Sequence, residues 1–187
     1  MKNRNGENMT ESKDEMVMTK LNNKYNLIVP RHRADMVEWK TGWEVEYIDS
    51  IMNNLKEGDI VFDIGAEEGD ISALLAKKVG NSGGIVMFEP GPNVWANIRA
   101  IWKANKIKTP LGCFVGFASN KTDEHPVKCD IINSAESIWP CYSYQRIINN
   151  HGFRNIKEQS DYTPQIRLDD YCDKTGIYPD IITIDVE

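Results

Sequence analysis

The sequence contains no uninterrupted apolar run near the roughly 18 residues that a spanning helix requires, so no membrane span is expected. It also lacks a surplus of basic residues. Its 22 Lys and Arg stand against 28 Asp and Glu, for a formal net charge of −6 over 187 residues. That leaves no electrostatic footprint for nucleic acid or for an anionic membrane surface. The opening MKNRNGENMTESKDEM has no apolar stretch of the kind a secretory signal carries, and a cytoplasmic location is expected. No CxxC pair occurs among Cys113, Cys129, Cys141 and Cys172, and no histidine lies near enough to complete a zinc knuckle. Reduced thiols are the simpler reading. His32, His125 and His151 are scattered, with no nucleophile or ligand arrangement. Two phosphate-binding signatures are missing as well. There is no GxGxxG opening a helix, and no glycine-rich loop ending in Gly-Lys-Ser or Gly-Lys-Thr.

What is present is 41% apolar and 27% charged residues in a chain of single-domain size. Residues 1–20 carry too little apolar surface to offset ordering entropy and read as a flexible tail. An N-terminal helical segment is expected over 21–57. Within it Met36, Trp39, Trp43, Tyr47, Ile51 and Leu55 recur at spacings of three and four, interrupted at Gly42. Trp39 and Trp43 read as core, and Glu44 and Glu46 could reach the mouth of a site.

From residue 58 the pattern changes. IVFDI at 60–64 is a short branched apolar run, as in a strand buried on both faces. ISALLAKKVG (71–80) is a helix, GIVMFEP (84–90) a second strand, 93–106 a second amphipathic helix and GCFVGFA (112–118) a third strand. Alternating strands and helices at this spacing predict a doubly wound, mostly parallel α/β sheet. The stretch 119–163 resists assignment. HPVKCDII (125–132) could be a strand, and WPCYSY (139–144) a packed loop or an acceptor-pocket wall. QIRLDDYCDK (165–174) reads as a strand end entering a helix capped near Asp169, and DIITIDVE (180–187) as a fourth strand. Open sheets of this kind usually continue, so truncation after the fourth strand is expected.

In such sheets ligands bind beyond the carboxyl ends of the strands. FDIGAEEGD (62–70) lies there, as do Glu89, Ser119, Asn120, Asp185 and Glu187. Two glutamates in the glycine turn would repel a diphosphate. They suit a ligand with an ammonium, ribose hydroxyls and a cationic centre, and S-adenosylmethionine has all three.

VFDIGAEEGD, MFEPGPN, ASN, IRLDDY and IDVE, in that order, resemble the class I S-adenosylmethionine-dependent methyltransferases, and among them the FkbM family. The likeness covers about residues 43 to 187. It implies a Rossmann-like, S-adenosylmethionine-binding domain over 58–187 and O-methylation of a sugar or related small-molecule hydroxyl. Asp63, Gly65, Ala66, Gly69 and Ser72 match the family's loop, Glu89 and Pro90 its second motif, Leu168 to Asp170 its third, and Asp185 with Glu187 its fourth. Glu67 departs, standing where the family usually has Asn.

The implied cofactor contacts are Asp63 to the ammonium, Gly65, Ala66, Glu67 and Gly69 along the methionine end, Glu89 with Pro90 at the ribose, and Ser119 with Asn120 at the adenine. Asp185 is the implied catalytic base or orienting group. The plainer alternatives are a helix cap for Asp169 and Asp170 and a helix-start acid for Glu67 or Glu68. Asp185 could also be one ligand of a divalent ion that orients the acceptor, but no complete octahedral set is visible and no metal is assigned. The competing reading is an inactive cofactor-binding remnant, or a fragment needing further strands or a partner.

Overall fold

The computed structural model describes residues 15–91, 94–122 and 164–186. The chain divides into two compact units after Trp43.

In the first, β1 (Met16–Leu21) and β2 (Tyr25–Pro30) pair antiparallel, from Met16 opposite Pro30 to Leu21 opposite Tyr25. Asn22 and Asn23 have φ of 51° and 56°, and Lys24 N–H donates to the Leu21 carbonyl at 2.9 Å. This is the type I′ turn that suits a twisted hairpin and that asparagine tolerates. Short helices α1 (Arg31–Asp35) and α2 (Val37–Thr41) follow. Leu21, Leu27, Val29 and Trp39 are fully buried, and the Arg33 guanidinium lies 5.2 Å from the Trp43 ring centroid. The hairpin corrects the expectation of a tail through residue 20 and helix beyond it. Its signal was an Asn-Asn pair between two β-prone runs. The unit boundary also falls after Trp43 and not after Glu57.

The second unit contains α3 (Val45–Asn54), β3 (Ile60–Ile64), α4 (Asp70–Val79), β4 (Gly84–Phe88), α5 (Trp95–Ala104), β5 (Gly112–Phe114), β6 (Phe117–Ala118), β7 (Gln165–Ile166), α6 (Leu168–Thr175) and β8 (Ile181–Ile184). Four strands form a parallel sheet in the order β5-β4-β3-β8. The chain steps outward from β3 to β5, then returns to the other side of β3. This is a Rossmann-like, doubly wound α/β sheet with its switch point between β3 and β8.

Alternation along the strands builds two faces. Phe62, Ile64, Val86, Phe88 and Phe114 pack with Ile166, Tyr171 and Cys172 on one face. There the Phe88 and Tyr171 ring centroids are 5.0 Å apart. On the other, α4 buries Ser72, Ala73, Leu74, Leu75 and Val79. Burial pushes the Cys113 thiol up, out of the range where thiolate forms at neutral pH.

The third strand ends sooner than the sequence suggested. β5 stops at Phe114, and Phe117–Ala118 pairs instead with Gln165–Ile166 in a separate two-stranded sheet. Gly116 marks the break, because a Cβ there would lie 2.3 Å from the Pro164 carbonyl oxygen. The α6 N-cap is Arg167, with Asp169 and Asp170 in the first turn. Asp170 accepts instead from the Thr122 hydroxyl. Cys129, Cys141, His125, His151, the expected strand at 125–132, the stretch 139–144 and Glu187 lie outside the described residues.

Candidate functional site

The loop between β3 and α4 starts where Gly65 and Ala66 N–H both donate to the Phe88 carbonyl, at 2.9 and 3.3 Å, holding the turn against the end of β4. Gly65 has φ +86° and Gly69 φ +79°. The resemblance placed both glycines against a ligand. The structure supplies a nearer reason. A Cβ on Gly65 would sit 2.0 Å from the Asp185 carbonyl oxygen, and one on Gly69 2.8 Å from the Ile98 side chain. Gly65 lets β8 close on β3, and Gly69 lets α5 close on the turn.

Asp63 is buried, 5% exposed. One carboxylate oxygen accepts from the Ser72 hydroxyl of α4, and the other from Thr183 Oγ1 of β8 at 2.7 Å. Burial raises its pKa. The two hydroxyls lower it again, and the charges of Asp70 and Asp185 add to the rise. Asp63 therefore ties a helix and two strands together directly beneath the glycine turn. Thr183 was missed in the sequence. Its only signal was one hydroxyl inside the apolar run Ile181–Ile184.

Glu89 follows β4 and is half-buried. Its Oε2 accepts from Glu67 N–H at 2.9 Å and its Oε1 from Gly91 N–H at 2.6 Å. Trp95 Nε1 donates to the Glu89 carbonyl at 3.2 Å. Desolvation holds the Glu89 carboxyl above the ordinary glutamate range, against the pull of those two amides. Glu67 adopts φ +46°, a left-handed conformation that glycine or asparagine accepts more readily. Asp185 is exposed beyond β8 and its N–H donates to the Ile64 carbonyl at 3.0 Å.

Asp63, the 65–69 turn, Glu89, Pro90 and Asp185 thus gather at the carboxyl ends of β3, β4 and β8. Ser119 and Asn120 instead follow β6. There the Ser119 hydroxyl donates to Gln165 Oε1 at 3.0 Å, and Asn120 is exposed. A second missed residue is Tyr47 of α3. Its hydroxyl is pushed up to about 12 by burial and by the charges of Asp63, Asp185 and Glu44.

The loops directly after β3 and β4 hold Glu67, Glu68 and Glu89 and no lysine or arginine, and Asp185 follows β8. Lysines collect at the opposite, amino edge. There a cleft of about 230 Å³ is lined by Lys77, Lys106 and Lys108 together with Trp102 and Pro110. Among the described residues no group of three or more His, Cys, Asp or Glu could hold a metal ion, and no helix is long and apolar enough to cross a membrane.

The strand order and the crevice define an α/β protein of the Rossmann-like class. No protein-family model matches the chain, and no curated protein matches it. Several solved structures match in part. TYW2 from M. jannaschii, in complex with AdoMet, is 20% identical over 52% of this chain and 42% of its own, with a TM-score of 0.37. A SAM dependent methyltransferase from Aquifex aeolicus is 18% identical over 51% of this chain and 48% of its own, at 0.36. Aeropyrum pernix fibrillarin, with natively bound S-adenosyl-L-methionine, is 22% identical over 34% and 26%, at 0.30. The chain spans less than half the length of each of these structures. Likenesses this partial add no weight of their own, and the fold class rests on the sheet itself.

Proposed function

We propose that the chain binds S-adenosylmethionine across the carboxyl ends of β3 and β4 and directs its methyl group to a hydroxyl oxygen of a sugar or related small molecule. This is the activity that the FkbM resemblance implies. Glu89 carries the reading. It is a half-buried carboxylate at the end of β4, oriented by two backbone N–H groups, beside a turn that holds carboxylates and no basic side chain. A carboxylate accepts the two hydroxyls of a ribose through its remaining lone pairs. The surrounding acids favour a cationic ligand and disfavour a phosphate.

Glu89 would hold the ribose, and the backbone of Gly65 to Gly69 would lie along the methionine end. Asp63, committed to Ser72 and Thr183, would act by fixing that backbone in place. The cofactor, when bound, supplies an electrophilic methyl on sulfur. Asp185 would orient the acceptor hydroxyl and take its proton, and in-line placement would supply much of the acceleration.

A second reading has its own observation. β8 is the last strand of the sheet among the described residues, and its Ile182 and Ile184 are 44% and 60% exposed, an apolar face of that strand. In that reading the fold binds the cofactor but turns over only when a partner or further strands cover β8.

The test is calorimetric titration with S-adenosylhomocysteine, with NAD as control. Micromolar binding of the first ligand alone, weakened about tenfold or more by Glu89→Ala, supports the cofactor site; tenfold is about 1.4 kcal/mol. No binding by the folded wild-type chain overturns it. Binding without transfer to any hydroxyl acceptor favours the second reading.

A further inference from the structure

We propose that Thr183 is a positioning residue for this site: by giving its hydroxyl to Asp63 it locks the end of β8 to the glycine turn, so that the turn and Asp185 hold one geometry. The inference rests on the cofactor reading above and adds to it a residue that acts through Asp63.

Asp63 and Thr183 are register partners on adjacent parallel strands, so their side chains leave the same face of the sheet. Thr183 is 3% exposed, in a strand that is otherwise isoleucine. Valine has the same branched shape and would suit such a strand as well. A buried hydroxyl costs stability unless it finds a partner. Two oxygens are within reach of this one, Asp63 Oδ1 at 2.7 Å and the Phe62 carbonyl at 3.4 Å. The single proton goes to the carboxylate, which is nearer and the stronger acceptor.

The other carboxylate oxygen of Asp63 takes the Ser72 hydroxyl. The remaining groups that act on Asp63 are the acids Asp70 and Asp185. Among the described residues, two neutral hydroxyls and no cation thus hold a buried carboxylate. Each hydroxyl fastens a different element to β3: Ser72 fastens α4, and Thr183 fastens β8.

The end of β8 is part of the site. Two residues beyond Thr183, Asp185 N–H donates to the Ile64 carbonyl at 3.0 Å. The Asp185 carbonyl oxygen lies where a Cβ on Gly65 would fall. On its other side the turn is held by the Phe88 carbonyl, which accepts from Gly65 and Ala66 N–H. The turn is therefore gripped between the ends of β4 and β8. Among the described residues β8 is the last strand of the sheet, so within the sheet it is held from the β3 side only. Without the Thr183 hydroxyl, the end of β8 and the turn loosen together.

Hydrogen exchange of single amides, followed by NMR on the chain without ligand, reads the tie. Calorimetric titration with S-adenosylhomocysteine reads its use. Thr183→Val removes the hydroxyl at nearly the same volume, Thr183→Ser keeps it, and Ser72→Ala removes the other donor to Asp63. In Thr183→Val the Asp185 and Gly65 amides should exchange about tenfold faster or more, while Leu111, whose N–H donates to the Ile85 carbonyl, stays within about twofold of wild type. In Thr183→Ser and in Ser72→Ala the Asp185 amide should stay within about twofold of wild type. Affinity for S-adenosylhomocysteine should fall about tenfold in Thr183→Val and return to within about threefold in Thr183→Ser. Thr183→Ala stands in if the valine variant does not fold. Equal acceleration at all amides, an unmoved Asp185 amide, or the same acceleration in Ser72→Ala overturns the proposal. So does unchanged affinity in Thr183→Val, or a Thr183→Ser that behaves like it. A folded wild-type chain that binds no S-adenosylhomocysteine removes the cofactor reading instead, and the exchange rates still decide the tie.

Discussion

Replacing Gly65 with alanine separates a packing role from a ligand role for the glycine turn. Two costs fall on this position. At φ +86° an alanine gives up about 1–2 kcal/mol to the left-handed backbone. Its Cβ would also sit 2.0 Å from the Asp185 carbonyl oxygen and 3.1 Å from Val186 Cγ1. The first of these contacts is to backbone, so no side-chain rotation relieves it, and β8 must move away from β3. Overpacking of this kind costs about 1–3 kcal/mol, for a total of about 2–5 kcal/mol. Gly176 supplies the control. It has φ +71° at the end of α6, and a Cβ there meets nothing within 4 Å, so Gly176→Ala carries only the backbone cost of about 1–2 kcal/mol. Urea unfolding of both variants without ligand, at matched m-values, reads the difference. Equal losses in the two variants would refute the close approach of β8 to the turn. They would return Gly65 to a ligand-facing role.

Two other perturbations test the same region. Burial holds the Asp63 carboxyl above its ordinary range. A group raised in this way contributes stability below its unfolded value and loses that contribution as pH rises through the folded one. Wild-type melting temperature should therefore fall as pH climbs out of the ordinary carboxylate range, and the Asp63→Asn profile should be flatter; parallel profiles sink the argument. Glu67→Asn relieves a left-handed glutamate while keeping the N–H that Glu89 accepts. It should raise stability by about 0.5–1 kcal/mol in the same urea assay, and a loss would show that the Glu67 side chain stabilises the turn.

The sequence foretold the centre of the sheet better than its margins. IVFDI is β3 residue for residue, and α4, β4 and α5 fall within two residues of their expected ends. These elements are set by local signals: buried branched runs, helical spacing and a glycine at each turn. What was missed depends on partners far along the chain. Asp63 is explained by Thr183, 120 residues away, and the early end of β5 by the Pro164 carbonyl against Gly116. Tyr47 looked like one more member of an apolar stripe, because two of the acids whose charges act on its hydroxyl, Asp63 and Asp185, lie far along the chain. The hairpin is the exception. Asn22-Asn23 was a local signal, outweighed by the polar residues before it.

The acids in the glycine turn also decide what the amino end of α4 can do. A helix start normally attracts anions, but that field is worth at most about 2 kcal/mol. Two like unit charges about 6 Å apart at an effective dielectric of 20 repel by about 3 kcal/mol. Asp70 already occupies the first turn of α4, and Glu67, Glu68 and Glu89 stand around the loop. A diphosphate carries more than one charge and would face more than one of these carboxylates, so repulsion outweighs the dipole. The same carboxylates attract a cationic ligand, and desolvation sharpens the choice at Glu89, where burial already disfavours the charged form. A cation or a pair of donated hydrogen bonds restores what burial removed. Among the described residues Lys77 and Lys78 lie in the last turn of α4 and Lys103 in that of α5, at the other edge. There they complement helix carboxyl ends. Among the described residues the loops after β3 and β4 are thus acidic, and they suit a cation-bearing ligand better than a phosphate.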